Sequence, residues 1–449
     1  MRASALLLAG GALLAAPLEA QEHEPHAPGM EAAPATMRSG PLGIPHTREG
    51  SGTAWLPDAS PVYAWHSRLG DWETMVHGQV YLQYIDEGSD RGDQQFGSIN
   101  WIMGMLRREA AGGHLVFRGM VSLEPLTVGT CGYPNLLATG ELCDGEPLHD
   151  RQHPHDLFME LAASYERELG EAVALQLYGG PVGEPALGPV AFPHRLSAFP
   201  NPYAPIGHHW LDSTHIAFGV ATAGVFGRRW KLEGSLFNGR EPDEDRYGID
   251  VDALDSYSGR LWFLPSDRWA LQVSAGHLNE AEPPHGGGPG EPAIDVTRVT
   301  ASATHHRLRA DGGLWATTAA WGRNTEEGES SNALMLDSSF GWRERHIVFG
   351  RAERVEKSAD DLDLLQSALL GGVFDITRLS LGYARQFDPV VGILPGIGAS
   401  VSLSLLPEEL ELEYGDDAPV GFALFATLRP APMAHGAAEV EPEAEHEEH

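Results

Sequence analysis

Histidines and carboxylates are concentrated in two polar stretches of this 449-residue chain, one around residues 149–156 and one around 194–215. Neutral imidazoles with nearby carboxylates are the usual protein ligands of copper, zinc, nickel and iron. The spacing matches no established signature such as His-Glu-x-x-His, so it predicts metal contact rather than catalysis. The candidate ligands are His149, His153, His155, His194, His208, His209 and His215.

The elements that must position these histidines are strands with a two-residue hydrophobic period. Residues 97–107 alternate in this way, and in 229–237 Lys231 and Glu233 alternate with Leu232 and Leu236. Successive side chains of a strand point to opposite faces, so one parity would meet lipid and the other the lumen. The pattern predicts an all-β fold, a transmembrane antiparallel β-barrel with Lys231 and Glu233 inside.

The links between strand candidates differ sharply in length. Short links such as 110–112 and 343–344 alternate with long ones at 125–155, 181–212, 239–254 and 279–295. Tight periplasmic turns and long extracellular loops are typical of outer-membrane barrels, whose single chains in bacteria have even numbers of strands. The candidates are odd in number, and we therefore expect about 16 strands. They lie near 73–85, 96–109, 113–124, 156–168, 172–180, 213–226, 228–238, 255–264, 268–278, 296–307, 313–322, 332–342, 345–355, 365–374, 376–386, 397–406 and 420–429.

Aromatic residues near the strand ends suit the girdles that barrels carry at the two membrane interfaces. The alternative is ordinary packing in a soluble β-sandwich. The residues concerned are Tyr81, Trp101, Trp230, Trp262, Trp269 and Trp342.

The first residues have the features of an export signal. Arg2 supplies a positive charge, residues 5–16 form a short apolar run, and Leu18-Glu19-Ala20 resembles a cleavage site. No later apolar run approaches the ~20 residues that a membrane helix needs. We therefore expect a bacterial outer-membrane protein in contact with membrane lipid.

Composition divides the chain into four parts. Residues 1–20 are the predicted signal peptide, and 21–50 a flexible arm in which Met30 and Met37 could be soft ligands for Cu(I). The barrel is expected over 51–430, followed by a disordered acidic tail over 431–449.

The net charge is strongly negative, with 30 Lys and Arg against 63 Asp and Glu, a formal −33. This excludes nucleic acid as a partner and favours cations or a divalent-rich outer surface. The alternative is that acidic loops merely keep an exported protein soluble.

The two cysteines, Cys131 and Cys143, lie in one polar stretch between strand candidates. In an oxidising envelope they are expected to pair and staple a long loop, with a thiolate metal site as the competing interpretation.

The histidine-bearing loops also have a structural interpretation. Arg151 or Arg195 could pair with Asp150, Asp156 or Glu184 and fold the loops into the barrel mouth. The histidines would then be hydrogen-bonded parts of a plug.

Several long motifs resemble those of a family of bacterial outer-membrane proteins. The similar segments cover roughly 50–430 and include SLEPLTVGTCGYP (122–134), HDRQHPHDLFMELA (149–162), GEPALGPVAFPHR (183–195) and IGHHWLDSTHIAFGV (206–220). The resemblance implies an outer-membrane barrel associated with tolerance of copper or other heavy metals. It carries over no catalytic residue.

The main functional hypothesis is a barrel that binds or passes metal ions, with copper or another divalent metal as the ion and no required cofactor. The alternative is a porin-like or structural barrel that passes small solutes without specific metal binding. We expect no enzyme, because no Gly-x-Ser-x-Gly elbow occurs and no Ser is placed beside a His and Asp pair.

Overall fold

The computed structural model describes residues 40–282, 293–364 and 369–432. The predicted signal peptide, the part of the arm with Met30 and Met37, and all but two residues of the tail lie outside these ranges. The strands are β1 (Trp65–Leu69), β2 (Trp72–Glu87), β3 (Gln94–Ala110), β4 (Gly113–Val121), β5 (Tyr133–Cys143), β6 (Glu146–Gln152), β7 (Phe158–Glu168), β8 (Ala174–Gly183), β9 (Ala217–Phe226), β10 (Trp230–Phe237), β11 (Ser256–Ser266), β12 (Trp269–Glu282), β13 (Ile294–Leu308), β14 (Leu314–Glu326), β15 (Glu329–Trp342), β16 (His346–Ser358), β17 (Val373–Gln386), β18 (Ile393–Leu405) and β19 (Val420–Pro430). Short α-helices span Glu124–Thr127, His208–Leu211 and Glu411–Tyr414, and 3-10 turns span Pro41–Gly43, His46–Arg48, Phe192–His194, Ser213–His215 and Glu408–Leu410.

Sixteen antiparallel strands close into a barrel. They are β2 to β4 and β7 to β19, and the ring closes where β19 pairs with β2, from Gly421 opposite Glu87 to Leu428 opposite Val80. The short β1 pairs with the first residues of β2, and β5 and β6 form a separate hairpin. The predicted strand number is confirmed.

One strand candidate, 365–374, was surplus. In its described part, 369–372 form a turn and β17 begins at Val373. The apolar run of this candidate continues directly into β17, so hydrophobicity alone predicted an additional strand where the described residues form a turn and the start of β17.

The barrel wall has a polar inner face and an apolar outer face. On β10, Lys231 and Glu233 are buried, whereas Leu232 and Leu236 are more than half exposed. The same alternation on β15 places Asp337 inside and Leu336 outside. A closed antiparallel barrel leaves no unpaired strand edge, and only such a barrel can present an apolar β-surface to lipid. The chain is therefore an outer-membrane β-barrel.

No helix of the described residues is long and apolar enough to cross a membrane.

Three of the six girdle candidates, Tyr81, Trp101 and Trp262, lie inside the barrel rather than at its lipid face. Trp262 is directly opposite Lys231 in the β10–β11 register, and residues directly opposite in a sheet share one face. Trp230 and Trp269 are exposed on the outside, as the girdle requires. Residue type suggested an interface, but strand register decided the face.

The lumen is filled by the chain itself. No residue in 44–64 or 182–216 is exposed. The second segment contacts inward-facing groups around the wall, since Ala186 N donates to Ser235 Oγ at 2.7 Å and Gly207 N donates to Glu353 Oε1 at 3.2 Å. Two sequence boundaries therefore change: residues 44–50, assigned to the arm, pack inside the barrel, and the predicted extracellular loop 181–212 is an internal plug.

Candidate metal site

Five of the seven candidate histidines meet inside the barrel. His153 and His155 come from the link between β6 and β7, His208 and His209 from the helix His208–Leu211, and His215 from the 3-10 turn that follows. We call these five the histidine cluster. Their rings form a continuous group, with centroids separated by 5.2 Å for His208 and His215 and by 6.0 Å for His153 and His208.

The two adjacent histidines of the helix turn their rings nearly at right angles, with centroids 5.5 Å apart. An extended backbone would point them to opposite faces. The helical turn instead keeps both in one group, and Gly140 of β5 packs against the His209 ring where a Cβ would overlap it. Loop conformation thus brings together residues that a strand would separate.

Each ring of the cluster has its Nδ1 held by an oxygen. His208 and His209 lie 2.8 Å and 2.9 Å from carboxylate oxygens of Asp212 and Glu241. The other three pairs are His155 with Glu124 Oε1 at 2.9 Å, His215 with the backbone oxygen of Asp212 at 2.9 Å, and His153 with Glu141 Oε1 at 3.2 Å. An Nδ1–H donor fixed in this way leaves Nε2 with its lone pair, the tautomer that ligates metals.

The free nitrogens of the cluster are buried. Nε2 of His153, His208, His209 and His215 has no hydrogen-bond partner among the residues that the structure describes. Buried polar atoms are normally satisfied, and an unsatisfied one costs roughly 1–3 kcal/mol. Four such atoms in one cluster are open to a cation or to ordered water.

Burial also sets the protonation of the cluster. It lowers the pKa of His153 well below its ordinary value, with Arg246 as a further cause, and it lowers the pKa of His208 and His215. These rings are therefore neutral near pH 7, as metal ligands must be. Burial raises the pKa of Asp212, but Arg195 and His208 together outweigh it and hold that pKa well below its usual range.

The other two predicted ligands lie elsewhere. His149 is on β6, more than one-third exposed, with its Nδ1 3.5 Å from Asp363. His194 packs against Trp101 and His77, at centroid distances of 4.8 Å and 5.6 Å. Sequence proximity grouped them with the cluster, whereas the paths of their segments separate them.

Cys131 and Cys143 form the predicted disulfide, with their Cα atoms 5.4 Å apart. It links the segment just before β5 to the last residue of β5, the strand that also carries Glu141. Within the described residues, these two sulfurs and Asp144 are the sole group of three His, Cys, Asp or Glu ligand atoms that lie within 4.8 Å of one another. Because both sulfurs are consumed by the disulfide, this group offers no thiolate site.

Three carboxylates that support the cluster were not predicted as site residues: Glu124, Glu141 and Glu241. Glu241 begins an acidic segment of the predicted loop 239–254, where sequence indicates a solvent-exposed loop. Only the folded path of this loop brings Glu241 against His209. Glu124 lies just beyond the end of β4, and its backbone amide donates a hydrogen bond to Oγ of Ser122. The one signal in the sequence that could have identified Glu124 was its position at the end of the strand candidate 113–124, on the face expected to be buried.

The predicted loop ion pairs form with different partners. Arg195 pairs with Asp212 at 3.0 Å and with Asp337 of β15 at 3.2 Å. Arg151 pairs with Asp93. The remaining pairs are Asp150 with Arg91, Asp156 with Arg246, and Glu184 with Arg260. The loops do fold into the barrel and form ion pairs, as the plug interpretation predicted. Most of these pairs, however, join residues that are far apart in sequence.

Comparisons with known proteins concern the fold. No protein-family model matches the chain, and no match was found among curated proteins. Solved structures with a similar fold include Salmonella typhi OmpF in complex with daunomycin (TM-score 0.49, 9% identity, covering 81% of this chain and 100% of that one). Others are an anion-selective porin from Comamonas acidovorans (0.47, 11%, 80% and 99%) and the outer-membrane channel DcaP of Acinetobacter baumannii (0.45, 10%, 82% and 100%).

Proposed function

We propose that this outer-membrane barrel binds and passes a transition-metal ion, with copper as the first candidate and the histidine cluster as its binding site. The observation that carries the proposal is the pairing pattern of the rings. All five have Nδ1 held by an oxygen, and four have a buried Nε2 that finds no hydrogen-bond partner in the described part of the chain. Metal-ligating histidines are oriented by this kind of contact.

Binding requires the rings to move. No three His, Cys, Asp or Glu ligand atoms of the cluster lie within 4.8 Å of one another in the described ranges. Imidazole nitrogens on one ion sit about 2.0–2.1 Å from it, so their rings must turn inward. Asp212 and Glu241, whose pKa values are both held below the ordinary carboxyl range, place negative charge near the cluster, which favours a cation over a neutral occupant.

The test is Cu(II) binding by the folded barrel in detergent, followed by electron paramagnetic resonance. Nitrogen hyperfine structure should count several imidazole ligands. Loss of a group that merely supports a metal ligand weakens metal binding by roughly 10–100-fold. His208→Gln and His215→Gln should each weaken Cu(II) binding by roughly this factor. His149→Gln is the matched control, because this ring lies outside the cluster.

Equal Cu(II) affinity in the wild type and the cluster variants would overturn the proposal. Zn²⁺ and Ni²⁺ titrations of the same proteins identify the preferred ion, since imidazole suits all three metals. Folding of each variant is checked by its heat-modifiable mobility, which reports the intact barrel.

A porin-like barrel without specific metal binding is the second candidate, and the closed 16-strand wall favours it. In that case the cluster is a hydrogen-bonded part of the plug and its free nitrogens bind water. Solute passage then requires 182–216 to move from the lumen, because no residue of this segment is exposed.

A further inference from the structure

A second group of metal-ligating side chains lies in the barrel interior, beside the histidine cluster. Met103, Met105, Met120 and Met159 belong to one buried group on β3, β4 and β7. Met103 and Met120 are directly opposite in the β3–β4 register and so share the inner face. The interior here includes four thioethers among other apolar side chains.

A small cavity opens between two of these methionines and the plug. Met120, Met159, His194 and His215 line it, together with the carboxylates of Glu160 and Glu184. Its volume of about 20 Å³ suits a single ion or water molecule. Two imidazoles and two thioethers therefore surround a space of ionic size.

Two polar atoms of the residues that line this cavity are buried and have no hydrogen-bond partner within the described ranges. They are Nε2 of His215 and Oε2 of Glu184, whose residue is 4% exposed. Glu160, by contrast, accepts a hydrogen bond from the Tyr178 hydroxyl at 2.7 Å. An empty gap would normally be lined by apolar groups and not by two unpartnered polar atoms. A bound cation would give both atoms a partner.

The cavity continues the line of imidazoles away from the cluster. His215 belongs to both, since its ring lies 5.2 Å from that of His208. On the far side, His194 lies 5.6 Å from His77 of β2. His77 lies on the wall strand β2, so the line leads from the cluster to the barrel wall.

We propose that the cavity bounded by Met120, Met159, His194 and His215 is a site for a soft monovalent cation, Cu(I) or Ag(I), and the next station for an ion leaving the histidine cluster. Thioethers and imidazoles without thiolates favour such cations over Zn²⁺. The ion that makes this transfer is monovalent at both sites. Cu(I) or Ag(I) held by the cluster exchanges imidazole for thioether ligands without changing oxidation state, so no reductant or oxidant is needed, and Cu(II) held by the cluster does not enter this cavity. This inference rests on the proposed function.

The test uses Ag(I) in chloride-free buffer with the whole folded barrel. Equilibrium dialysis measures affinity, and X-ray absorption detects silver–sulfur scattering. Replacing both methionines, Met120→Leu with Met159→Leu, preserves side-chain volume and removes both sulfurs. Met105→Leu is the matched control, since Met105 belongs to the same buried group but does not line the cavity.

Silver–sulfur scattering in the wild type, its loss in the double variant, and an affinity loss of roughly tenfold or more would support the site. Wild-type affinity in the double variant would overturn it, whatever Cu(II) does. The proposed function is tested separately, because His208→Gln changes Cu(II) binding at the cluster and the methionine variants leave all five of its rings in place.

Discussion

Asp212 holds His208 by an Nδ1 to Oδ1 distance of 2.8 Å, across one turn of a short helix that lies inside the barrel. The other carboxylate oxygen of Asp212 accepts a hydrogen bond from Arg195 at 3.0 Å. One buried carboxylate thus orients a ring of the cluster and anchors the plug that carries it. Asp212 therefore links the geometry of the histidine cluster to the position of the plug in the lumen.

Asp212→Asn should weaken both functions of that carboxylate. An amide can present its NH₂ group to His208 and no longer fixes the ring tautomer, so Cu(II) affinity should fall by roughly 10–100-fold. Calorimetric titration checks the affinity. Asp363→Asn, beside the distant His149, is the control and should bind like the wild type.

Glu241→Gln should reduce Cu(II) affinity by roughly tenfold without unfolding the barrel. Glu241 holds Nδ1 of His209 at 2.9 Å but lies on a loop outside the wall strands. Glu244→Gln is the control, because it removes a nearby carboxylate of the same loop that accepts a hydrogen bond from the Gly145 amide. Equal losses in the two variants would show that loop charge, rather than contact with His209, supports binding.

Lower pH should destabilise the plug, and the sign follows from the histidines. Burial lowers the folded-state pKa of His153, His208 and His215 below the unfolded value of 6.5. Above pH 6.5 both states are neutral and these rings contribute no pH dependence. Below it the unfolded segment binds protons first, so stability falls as pH falls.

Protease sensitivity of the folded barrel, compared at about pH 8 and pH 5.5, measures this effect. His208→Gln should show a smaller difference between the two conditions. An equal difference in the variant and the wild type would assign the acid effect to other groups.

Arg195→Gln should loosen the plug and raise conductance. Arg195 is 1% exposed and pairs with both Asp212 and Asp337, so its loss removes one buried partner from each carboxylate. Asp337 keeps Arg351, whereas Asp212 keeps only its contact with the neutral ring of His208 among these pairs. Breaking a buried pair costs about 3–5 kcal/mol. Planar-bilayer recordings should show larger or more frequent openings than in the wild type, and unchanged currents would contradict the plug model.

The disulfide should stabilise the hairpin that holds His153. Reduction, or Cys131→Ser with Cys143→Ser, frees the strand carrying Glu141, whose Oε1 lies 3.2 Å from His153 Nδ1. A bridge of this kind contributes roughly 2–4 kcal/mol. Limited proteolysis should cut the β5–β6 hairpin of the variant first, while the barrel keeps its heat-modifiable mobility.

The sequence alone determined the barrel. Alternation such as Lys231 and Glu233 against Leu232 and Leu236 has a period that only strands satisfy, and the alternation of short and long links fixes the order of antiparallel neighbours. The disulfide was equally accessible, because an exported chain with two cysteines has one pairing. These are local features, and local residue patterns encode them.

The tertiary structure decided what fills the barrel and which histidines meet. His149 and His153 are four residues apart in sequence, yet one faces Asp363 near the surface and the other joins the cluster. His194 lies outside the cluster and packs against His77, which is 117 positions away in sequence, because the plug crosses the lumen before it returns. Partners such as Arg195 and Asp337 are joined only by that path through the lumen. No local period specifies such contacts, since they depend on where a long loop packs once the wall has closed.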